Sequence, residues 1–461
     1  MSILAAMVVP HPPLIIPAVG GGEERKIQRT IDAYHKVMER AAALRPDTVV
    51  VTSPHTVMYA DYFHISPGSQ AEGNFGQFRA AQVRVTAEYD EALAARISEN
   101  CAAAGLTAGF LGEKEAALDH GTMIPLYFLQ QHLPKVRVVR IGLSGLSAAA
   151  HYQLGQQIAA AAEEMGRRVV VIASGDLSHK LKEDGPYGFA AVGPVFDQRM
   201  QDCLQDGDFL ELLETPAELA DAAAECGLRS FWIMAGALDG RAVSPELLSY
   251  EGPFGVGYGV AWFMAGGAEP GRAFGGQLIR RQQQRLTQRR EHEDGLVSWA
   301  RCCLETFVRT KQYASIPADL PAELTTQRAA VFVSLQENGR LRGCIGTILP
   351  IRSSMAEEIL YNAVSAGMND PRFPAVQEAD LSQLVYHVDV LTKPERIDSL
   401  QQLDAKRYGV IVEAGDRRGL LLPDLSGVDS VEQQVAIARQ KGNIAASEPV
   451  QLWRFEVVRH Q

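Results

Sequence analysis

Apolar residues over the first 265 positions alternate between short continuous runs and longer stretches with helical spacing. The short runs, rich in valine and isoleucine, predict strands at 3–9, 48–53, 136–143, 168–174 and 255–264. Apolar positions three and four apart predict helices at 24–44, 88–104, 149–165, 197–213 and 216–226. This alternation predicts an α/β domain over 1–265, with a mostly parallel central sheet flanked by helices.

The pattern changes after residue 265. Glycines and a proline at 266–271 precede a stretch rich in Gln and Arg, which predicts a basic linker over 266–294. Such a stretch also suits RNA binding, but a solvated linker helix is the better interpretation. The remainder, 295–461, predicts helices at 295–310 and 354–366 and strands at 329–336, 341–347, 385–391 and 410–413. With a turn expected at Glu337-Asn338-Gly339, this mixed order predicts a second, smaller α+β domain.

Composition narrows the class of protein. The chain has 461 residues, of which 46% are hydrophobic and 21% charged, as in ordinary multidomain globular proteins. Its net charge of -11 argues against a nucleic-acid partner or an anionic membrane surface. Six cysteines without a CxxC pair indicate a reduced compartment, so we expect a cytoplasmic location. No apolar run approaches the roughly 18 residues of a membrane helix.

Three histidines follow predicted strands, and they are the most informative polar residues of the chain. His11, His55 and His179 each come just after an apolar run, and Glu251 follows in a Gly-rich segment. Open α/β sheets place their sites at the carboxyl ends of strands, where such side chains can converge. Two imidazoles with one carboxylate are the ligand set of mononuclear non-haem Fe(II), which makes His11, His55 and Glu251 candidate ligands. His179 would then remain for proton transfer.

A fourth histidine, His120, lies in Asp119-His120-Gly121-Thr122 before a helical stretch. It could donate a hydrogen bond to a substrate or to bound oxygen. Any single histidine at a strand end is more often a cap or a packed core residue. From the residues alone a metal site therefore remains one of two open interpretations, and Asp176 could either orient His179 or cap a helix.

Five segments carry a family resemblance, and they are MVVPHPPLI, VVVTSPH, DHGTMIPL, ASGDLSH and YEGPFGVGYGVAWF. In this order they resemble the class III (LigB-type) extradiol ring-cleavage dioxygenases over nearly all of 1–265. By that resemblance His11, His55 and Glu251 match the Fe(II) ligands, His179 the acid/base histidine and His120 the second active-site histidine. The resemblance implies O2-dependent opening of a catecholic or related phenolic ring, and a dimeric assembly. The related Memo family has a cysteine in place of the carboxylate, so Glu251 favours the dioxygenase branch.

The C-terminal part contains a thiol between glycines, in Leu341-Arg342-Gly343-Cys344-Ile345-Gly346. Arg342 could activate Cys344, but a tight turn with a structural cysteine is the more frequent arrangement. LRGCIG resembles the AMMECR family over roughly 293–459, which implies an accessory or substrate-delivery domain. The fusion resembles the AmmeMemoRadiSam gene set, which implies a radical-SAM partner protein. Two alternatives stay open: a metal-dependent non-dioxygenase enzyme that works with a radical-SAM partner, with zinc as a possible occupant, and a Memo-like binding or scaffold protein with a vestigial site.

Overall fold

The computed structural model describes residues 2–112, 117–337, 340–425 and 427–461. The chain divides into two compact units, unit 1 (Met1–Arg281) and unit 2 (Gln282–Gln461). In the part of the chain that is described, no helix combines the length and the apolar character needed to cross a bilayer.

Unit 1 contains ten strands and ten α-helices among its described residues, besides short 3-10 helices, and the last α-helix crosses the boundary at residue 281. The strands are β1 (Ile3–Val9), β2 (Thr48–Ser53), β3 (Phe63–His64), β4 (Gln70–Phe75), β5 (Ala80–Tyr89), β6 (Ala108–Gly109), β7 (Arg137–Gly142), β8 (Val169–Ser174), β9 (Arg241–Glu251) and β10 (Tyr258–Ala268). The helices are α1 (Pro17–Gly20), α2 (Gln28–Ala43), α3 (Glu91–Ala103), α4 (His120–Gln130), α5 (Ala148–Glu164), α6 (Val192–Asp206), α7 (Phe209–Leu213), α8 (Ala217–Ala223), α9 (Leu228–Ala237) and α10 (Phe274–His292).

The central sheet has eight strands in the order β4-β5-β7-β2-β8-β1-β10-β9. Strands β5, β7, β2, β8 and β1 pair in parallel, whereas β4, β10 and β9 add antiparallel edges. The predicted α/β class, with its mostly parallel centre, is confirmed. Because β8 lies between β2 and β1, the residues that follow these three strands emerge side by side.

Both faces of this sheet are covered, which explains why its central strands are continuously apolar. Val169 and Val171 of β8 pack into one core with residues of α3, α5 and α9. Val170 and Ile172 point to the opposite face and pack with residues of α2 and α4. A parallel sheet buried on both faces leaves its strand ends as the place where polar groups can collect.

Several predicted boundaries in unit 1 are wrong in ways that matter for the site. The predicted helix 197–213 is two helices, because Gly207 at φ 66° ends α6. The predicted helix 216–226 ends at Ala223, since Ala224 adopts a left-handed conformation (φ 53°). Cys226 therefore lies in the loop between α8 and α9. The hairpin of β4 and β5 and the edge strand β9 were not predicted.

Unit 2 confirms the α+β prediction. Its helices, after α10, are α11 (Gly295–Thr310), α12 (Ala322–Thr326), α13 (Met355–Met368) and α14 (Val431–Lys441). Its strands are β11 (Ala330–Glu337), β12 (Arg340–Gly346), β13 (Leu384–Leu391), β14 (Glu395–Ile397), β15 (Gly409–Ala414), β16 (Arg417–Leu421), β17 (Gln451–Phe455) and β18 (Val457–His460). They form two antiparallel sheets, β12-β11-β13-β18 and β14-β17-β15-β16. The turn expected at Glu337-Asn338-Gly339 falls largely outside the described residues.

Candidate metal centre

Two of the predicted ligands meet at the carboxyl ends of β1 and β2. The Nε2 atoms of His11 and His55 lie 3.0 Å apart, with the two rings edge to face at a centroid distance of 4.7 Å. His11 is buried, whereas His55 is exposed and lines a cavity. Each follows a strand that pairs with β8, so the parallel register itself brings the two imidazoles together.

The third donor beside these histidines is Cys226, which the sequence did not indicate. Its Sγ lies 3.6 Å from Nε2 of His11, and donor atoms of His11, His55 and Cys226 all lie within 4.8 Å of one another. The backbone N–H of Asp176 donates to this Sγ at 3.3 Å. The left-handed Ala224 ends α8 early enough for Cys226 to reach the strand ends.

Two glycines allow the loop that carries Cys226 to lie against the end of β8. A Cβ placed on Gly175 would stand 2.1 Å from the Cα of Gly227, so neither side of this contact has room for a side chain. Gly175, at the start of the loop after β8, and Gly227, directly after Cys226, were therefore the sequence signal for Cys226. That signal can be interpreted only once the two loops are known to touch.

Asp176 and His179 lie on the loop after β8 and complete the cluster. The Asp176 carboxylate accepts the backbone N–H of His11 at 2.8 Å. Donor atoms of Asp176, His179 and Cys226 also lie within 4.8 Å of one another, so Cys226 belongs to both groups. Nδ1 of His179 is buried and has no hydrogen-bond partner among the described residues. The predicted acid/base histidine is therefore brought to the histidine pair.

Glu251 is not brought to this cluster, which corrects the ligand set expected from the sequence. Its carboxylate accepts the backbone N–H of Thr30 at 2.8 Å and the Thr30 hydroxyl at 2.7 Å. Arg29 lies 3.9 Å from the other carboxylate oxygen. Thr30 is in the first turn of α2, where free N–H groups and the helix dipole favour a carboxylate. Glu251 caps a helix, and Cys226 stands beside the histidines instead, so the preference for the dioxygenase branch that rested on Glu251 loses that support.

His120 stacks on His55, with ring centroids 4.0 Å apart and planes tilted by 33°. The residue before it, Asp119, caps α4 and joins two parts of the site. Its carboxylate accepts the hydroxyls of Ser53 at 2.6 Å, Thr56 at 2.9 Å and Thr122 at 2.8 Å. Asp119 thereby ties the turn that carries His55 to the helix that carries His120.

The protonation preferences of the cluster suit a cation. Burial, followed by the charge of His55, lowers the pKa of His11 to about 3. Burial, followed by the charges of His55 and His11, likewise lowers the pKa of His120 to about 3. Burial raises the pKa of Asp176 to about 6 and raises that of the Cys226 thiol well above its ordinary value. The imidazoles are thus neutral donors, and the thiol becomes a thiolate only with a positive charge beside it.

This donor set fits a transition-metal ion. Imidazole and thiolate ligands suit iron, zinc and copper better than magnesium or calcium, which prefer oxygen ligands. Two imidazoles and a thiol already lie within reach of a single ion, and the carboxylate of the cluster is Asp176. His11, His55 and Cys226 are therefore the residues that would hold a metal.

A cavity of about 800 Å³ opens beside the histidines. His55 and His120 line it at one side, and Asn74, Gln77 and Arg84 of the β4–β5 region line it at another. Its volume lies in the range of small-molecule sites, roughly 300–1,000 Å³. A small substrate can therefore reach the histidines.

The predicted C-terminal residues do not form a comparable cluster. The Ser334 hydroxyl donates to Sγ of Cys344 at 3.2 Å, and the backbone N–H of Cys344 donates to Asp370 at 2.9 Å. Arg342 is engaged elsewhere, since it donates to the carbonyl of Pro374 at 2.7 Å and lies 3.4 Å from Asp380. Among the described residues, the clusters of His, Cys, Asp and Glu side chains that could hold a metal ion all belong to unit 1. Activation of Cys344 by Arg342 stays a prediction without support from these contacts.

Comparisons with known proteins agree with the two-part organisation. A sequence model described as the catalytic LigB subunit of aromatic ring-opening dioxygenase matches residues 5–261, and a model of AMMECR1 matches residues 297–460. A protein of Clostridium acetobutylicum is 37% identical over 469 residues, covering 100% of both chains. A protein of Thermotoga maritima is 45% identical over 171 residues, which are 37% of this chain and 98% of its own. The Clostridium protein therefore carries both parts in one chain.

Two solved structures are also similar. An uncharacterized protein of Pyrococcus horikoshii matches at 31% identity and a TM-score of 0.34, over 36% of this chain and 88% of its own. An uncharacterized protein of Escherichia coli K12 matches at 17% identity and a TM-score of 0.38, over 57% of this chain and 99% of its own.

Proposed function

The chain belongs to the family of the catalytic LigB subunit of aromatic ring-opening dioxygenases, fused to an AMMECR1 domain, and from this premise we propose a metal-dependent, dioxygenase-type oxidoreductase. The ion is Fe(II), held by His11, His55 and Cys226. The substrate is a small catecholic or related phenolic compound that enters the cavity beside His55, and unit 2 is an accessory module. The observation that carries this proposal is the convergence of three donor atoms within 4.8 Å at the strand ends.

When bound, Fe(II) would supply a Lewis acid that draws a phenolic hydroxyl toward deprotonation and a redox centre for O2. The protein's own task is to move protons around it. His179 has an unpartnered, buried Nδ1 and stands beside Asp176 and Cys226. It can take a proton from a substrate hydroxyl and return it later in the reaction.

The cavity supports a substrate that is both small and polar. His55 and His120 offer ring edges and faces on which an aromatic ring can lie, and Thr56, Asn74 and Gln77 offer hydrogen bonds. His120 is neutral, because its pKa is lowered to about 3, so it can donate one hydrogen bond without carrying charge. These features support recognition of such a substrate next to the proposed ligands.

The thiol favours one second candidate function. Thiolate with imidazole is a common zinc ligand set, and a catalytic zinc site keeps three protein ligands with one open position. A zinc enzyme that activates water for hydrolysis would use His11, His55 and Cys226 in the same way. It would need no O2, which separates it experimentally from the first candidate.

The test begins with metal analysis of the full chain purified without O2, followed by O2 uptake with a panel of catechols after loading with Fe(II). Stoichiometric iron with catechol-dependent O2 uptake is the expected result. Tight zinc binding without O2 uptake would support the hydrolase instead, and the absence of any bound metal would reject both.

The His179→Ala variant tests the proton-transfer role within the same assay. We expect it to keep its metal and to lose about 100-fold or more in turnover, the usual range for a general acid/base. The matched control is His132→Ala, which removes a histidine paired with His35 outside the cluster. Loss of metal in His179→Ala would contradict a pure acid/base role.

A further inference from the structure

A fully buried serine joins one of the proposed ligands to the backbone of α4. The Ser174 hydroxyl oxygen lies 2.9 Å from Nδ1 of His11 and 2.6 Å from the carbonyl oxygen of Gly121. Ser174 is the last residue of β8 and pairs in register with Val9, two positions before His11. Its side chain is 0% exposed, so water does not compete for either contact.

The hydrogen count at this serine decides the tautomer of His11. A carbonyl oxygen can only accept a hydrogen bond, so the Ser174 hydroxyl donates its one hydrogen to the Gly121 carbonyl. Toward Nδ1 of His11 the serine can therefore only accept, and Nδ1 must carry a hydrogen. A neutral imidazole with its hydrogen on Nδ1 has a lone pair on Nε2.

That lone pair points into the cluster. Nε2 of His11 is the atom that lies 3.0 Å from Nε2 of His55 and 3.6 Å from Sγ of Cys226. We propose that Ser174 is a positioning residue that locks His11 in the Nδ1–H tautomer and so keeps its Nε2 ready as a ligand. The role of His11 as a ligand rests on the metal centre proposed above. The tautomer does not, because it is a property of the metal-free chain.

The same reasoning assigns the opposite tautomer to His55 in the absence of metal. Because Nε2 of His11 carries no hydrogen, the 3.0 Å approach of the two Nε2 atoms is a hydrogen bond only if His55 donates. Nε2 of His55 must then give up this hydrogen when a cation binds, and the hydrogen moves to Nδ1 of the same ring. His11 is fixed in advance, whereas His55 has to change.

The packing around Gly121 explains how the serine is held. A Cβ on Gly121 would stand 2.4 Å from the Ser53 hydroxyl and 3.3 Å from the His55 ring, so glycine lets the first turn of α4 approach the strand ends. The Gly121 carbonyl is thereby brought to the end of β8. Removing the Ser174 hydroxyl would leave both this carbonyl and Nδ1 of His11 without their partner, and the preference for one tautomer would be lost.

The first experiment reads the tautomers directly in the metal-free, full-length protein labelled with 15N-histidine. Two-bond 1H–15N correlations distinguish Nδ1–H from Nε2–H rings, and the signals of His11 are identified by their loss in His11→Gln. We expect Nδ1–H for His11 in the parent and a mixture of tautomers in Ser174→Ala. An Nε2–H ring in the parent, or an unchanged ring in Ser174→Ala, would overturn the proposal.

The second experiment measures the affinity for Fe(II) and for Zn(II) by competition with a chromogenic chelator. Ser174→Ala should weaken binding about 10- to 100-fold, as for other groups that orient a metal-bound histidine. The matched control is Ser178→Ala, another fully buried serine, whose hydroxyl donates to the carbonyl of Ala223 at 3.0 Å. Ser174→Thr keeps the hydroxyl and should restore the parent affinity.

The two experiments fail in distinguishable ways. Equal loss of affinity in Ser174→Ala and Ser178→Ala would mean that the serine acts only through packing, and would overturn the proposal. The expected tautomers combined with no metal binding in the parent would reject the proposed centre and leave the role of Ser174 in place.

Discussion

At the scale of single residues, the sulfur of Cys226 decides the character of the centre. A carboxylate in that position would offer a hard oxygen, whereas a thiolate is soft and favours zinc, copper or iron over magnesium and calcium. The thiol is costly to ionise where it lies, because burial raises its pKa well above the ordinary value. Metal binding should therefore release the thiol proton, which makes the affinity depend on pH.

The roles of Cys226 and Glu251 can be separated by two substitutions. Cys226→Ser should lower metal affinity by at least about 10- to 100-fold, the range known for groups that merely support a ligand. Glu251→Ala should keep its metal and lose about 0.5–2 kcal/mol of stability, because it removes a helix cap. Mass spectrometry measures the metal content of each variant, and urea unfolding measures its stability.

The matched control for the thiol is Cys203→Ala, which removes a buried cysteine of α6 away from the cluster. It should bind metal as the parent does. A Glu251→Ala variant that loses its metal would show that the helix cap and the centre are coupled.

At the scale of elements, β12 shows how a motif can be explained by packing. A Cβ on Gly343 would stand 2.1 Å from the backbone carbonyl of Ala366 in α13, and one on Gly346 would stand 2.2 Å from the Phe332 ring. Cys344 shares the face of Gly346 and lies beside Ser334, whereas Gly343 faces the opposite side. The glycines of this strand are thus required by its neighbours, whatever Cys344 does.

Gly343→Ala should destabilise unit 2 by about 1–3 kcal/mol, because the backbone of α13 must shift to make room. Gly295→Ala is the matched control, since its new Cβ would meet only the Pro321 side chain at 3.7 Å. Differential scanning calorimetry of the full chain measures both. If Gly343→Ala and the parent had the same melting temperature, the contact between Gly343 and Ala366 would be looser than in this structure.

At the scale of the whole molecule, unit 1 brings together loops from distant parts of the chain. Asp197 on α6 is an example, because it accepts the backbone N–H of Ser178 at 2.7 Å and the hydroxyl of Tyr250 at 2.6 Å. It thereby links the loop that carries His179 to the edge strand β9. Burial raises the pKa of Asp197 to about 6, above its ordinary value of 3.8.

This pKa shift makes the stability of unit 1 depend on pH. Between about pH 4 and pH 6 the folded state holds the Asp197 proton more tightly than the unfolded state does, so stability falls as pH rises through that window. Asparagine cannot ionise, so Asp197→Asn removes this loss. As the pH rises from 4 to 7, the free energy of unfolding of the variant should increase by about 1–3 kcal/mol relative to that of the parent.

Urea unfolding read by hydrogen exchange in β1, β2 and β8 measures the effect within unit 1. The control is Asp202→Asn, which removes an exposed carboxylate on the same helix. A difference between Asp197→Asn and the parent that does not change with pH would contradict the shift.

The sequence by itself determined the α/β and α+β classes, the strands β1, β2 and β8, and the histidines that follow them. It could do so because the periodicity of apolar positions and the length of apolar runs are local properties of the chain. In addition, the carboxyl ends of parallel strands share one edge of a sheet. It did not determine that α8 stops at Ala223, that Glu251 caps α2, or that Cys226 reaches His11. Those outcomes depend on contacts between segments far apart in the chain, such as Gly175 against Gly227, and only the tertiary structure brings such segments together.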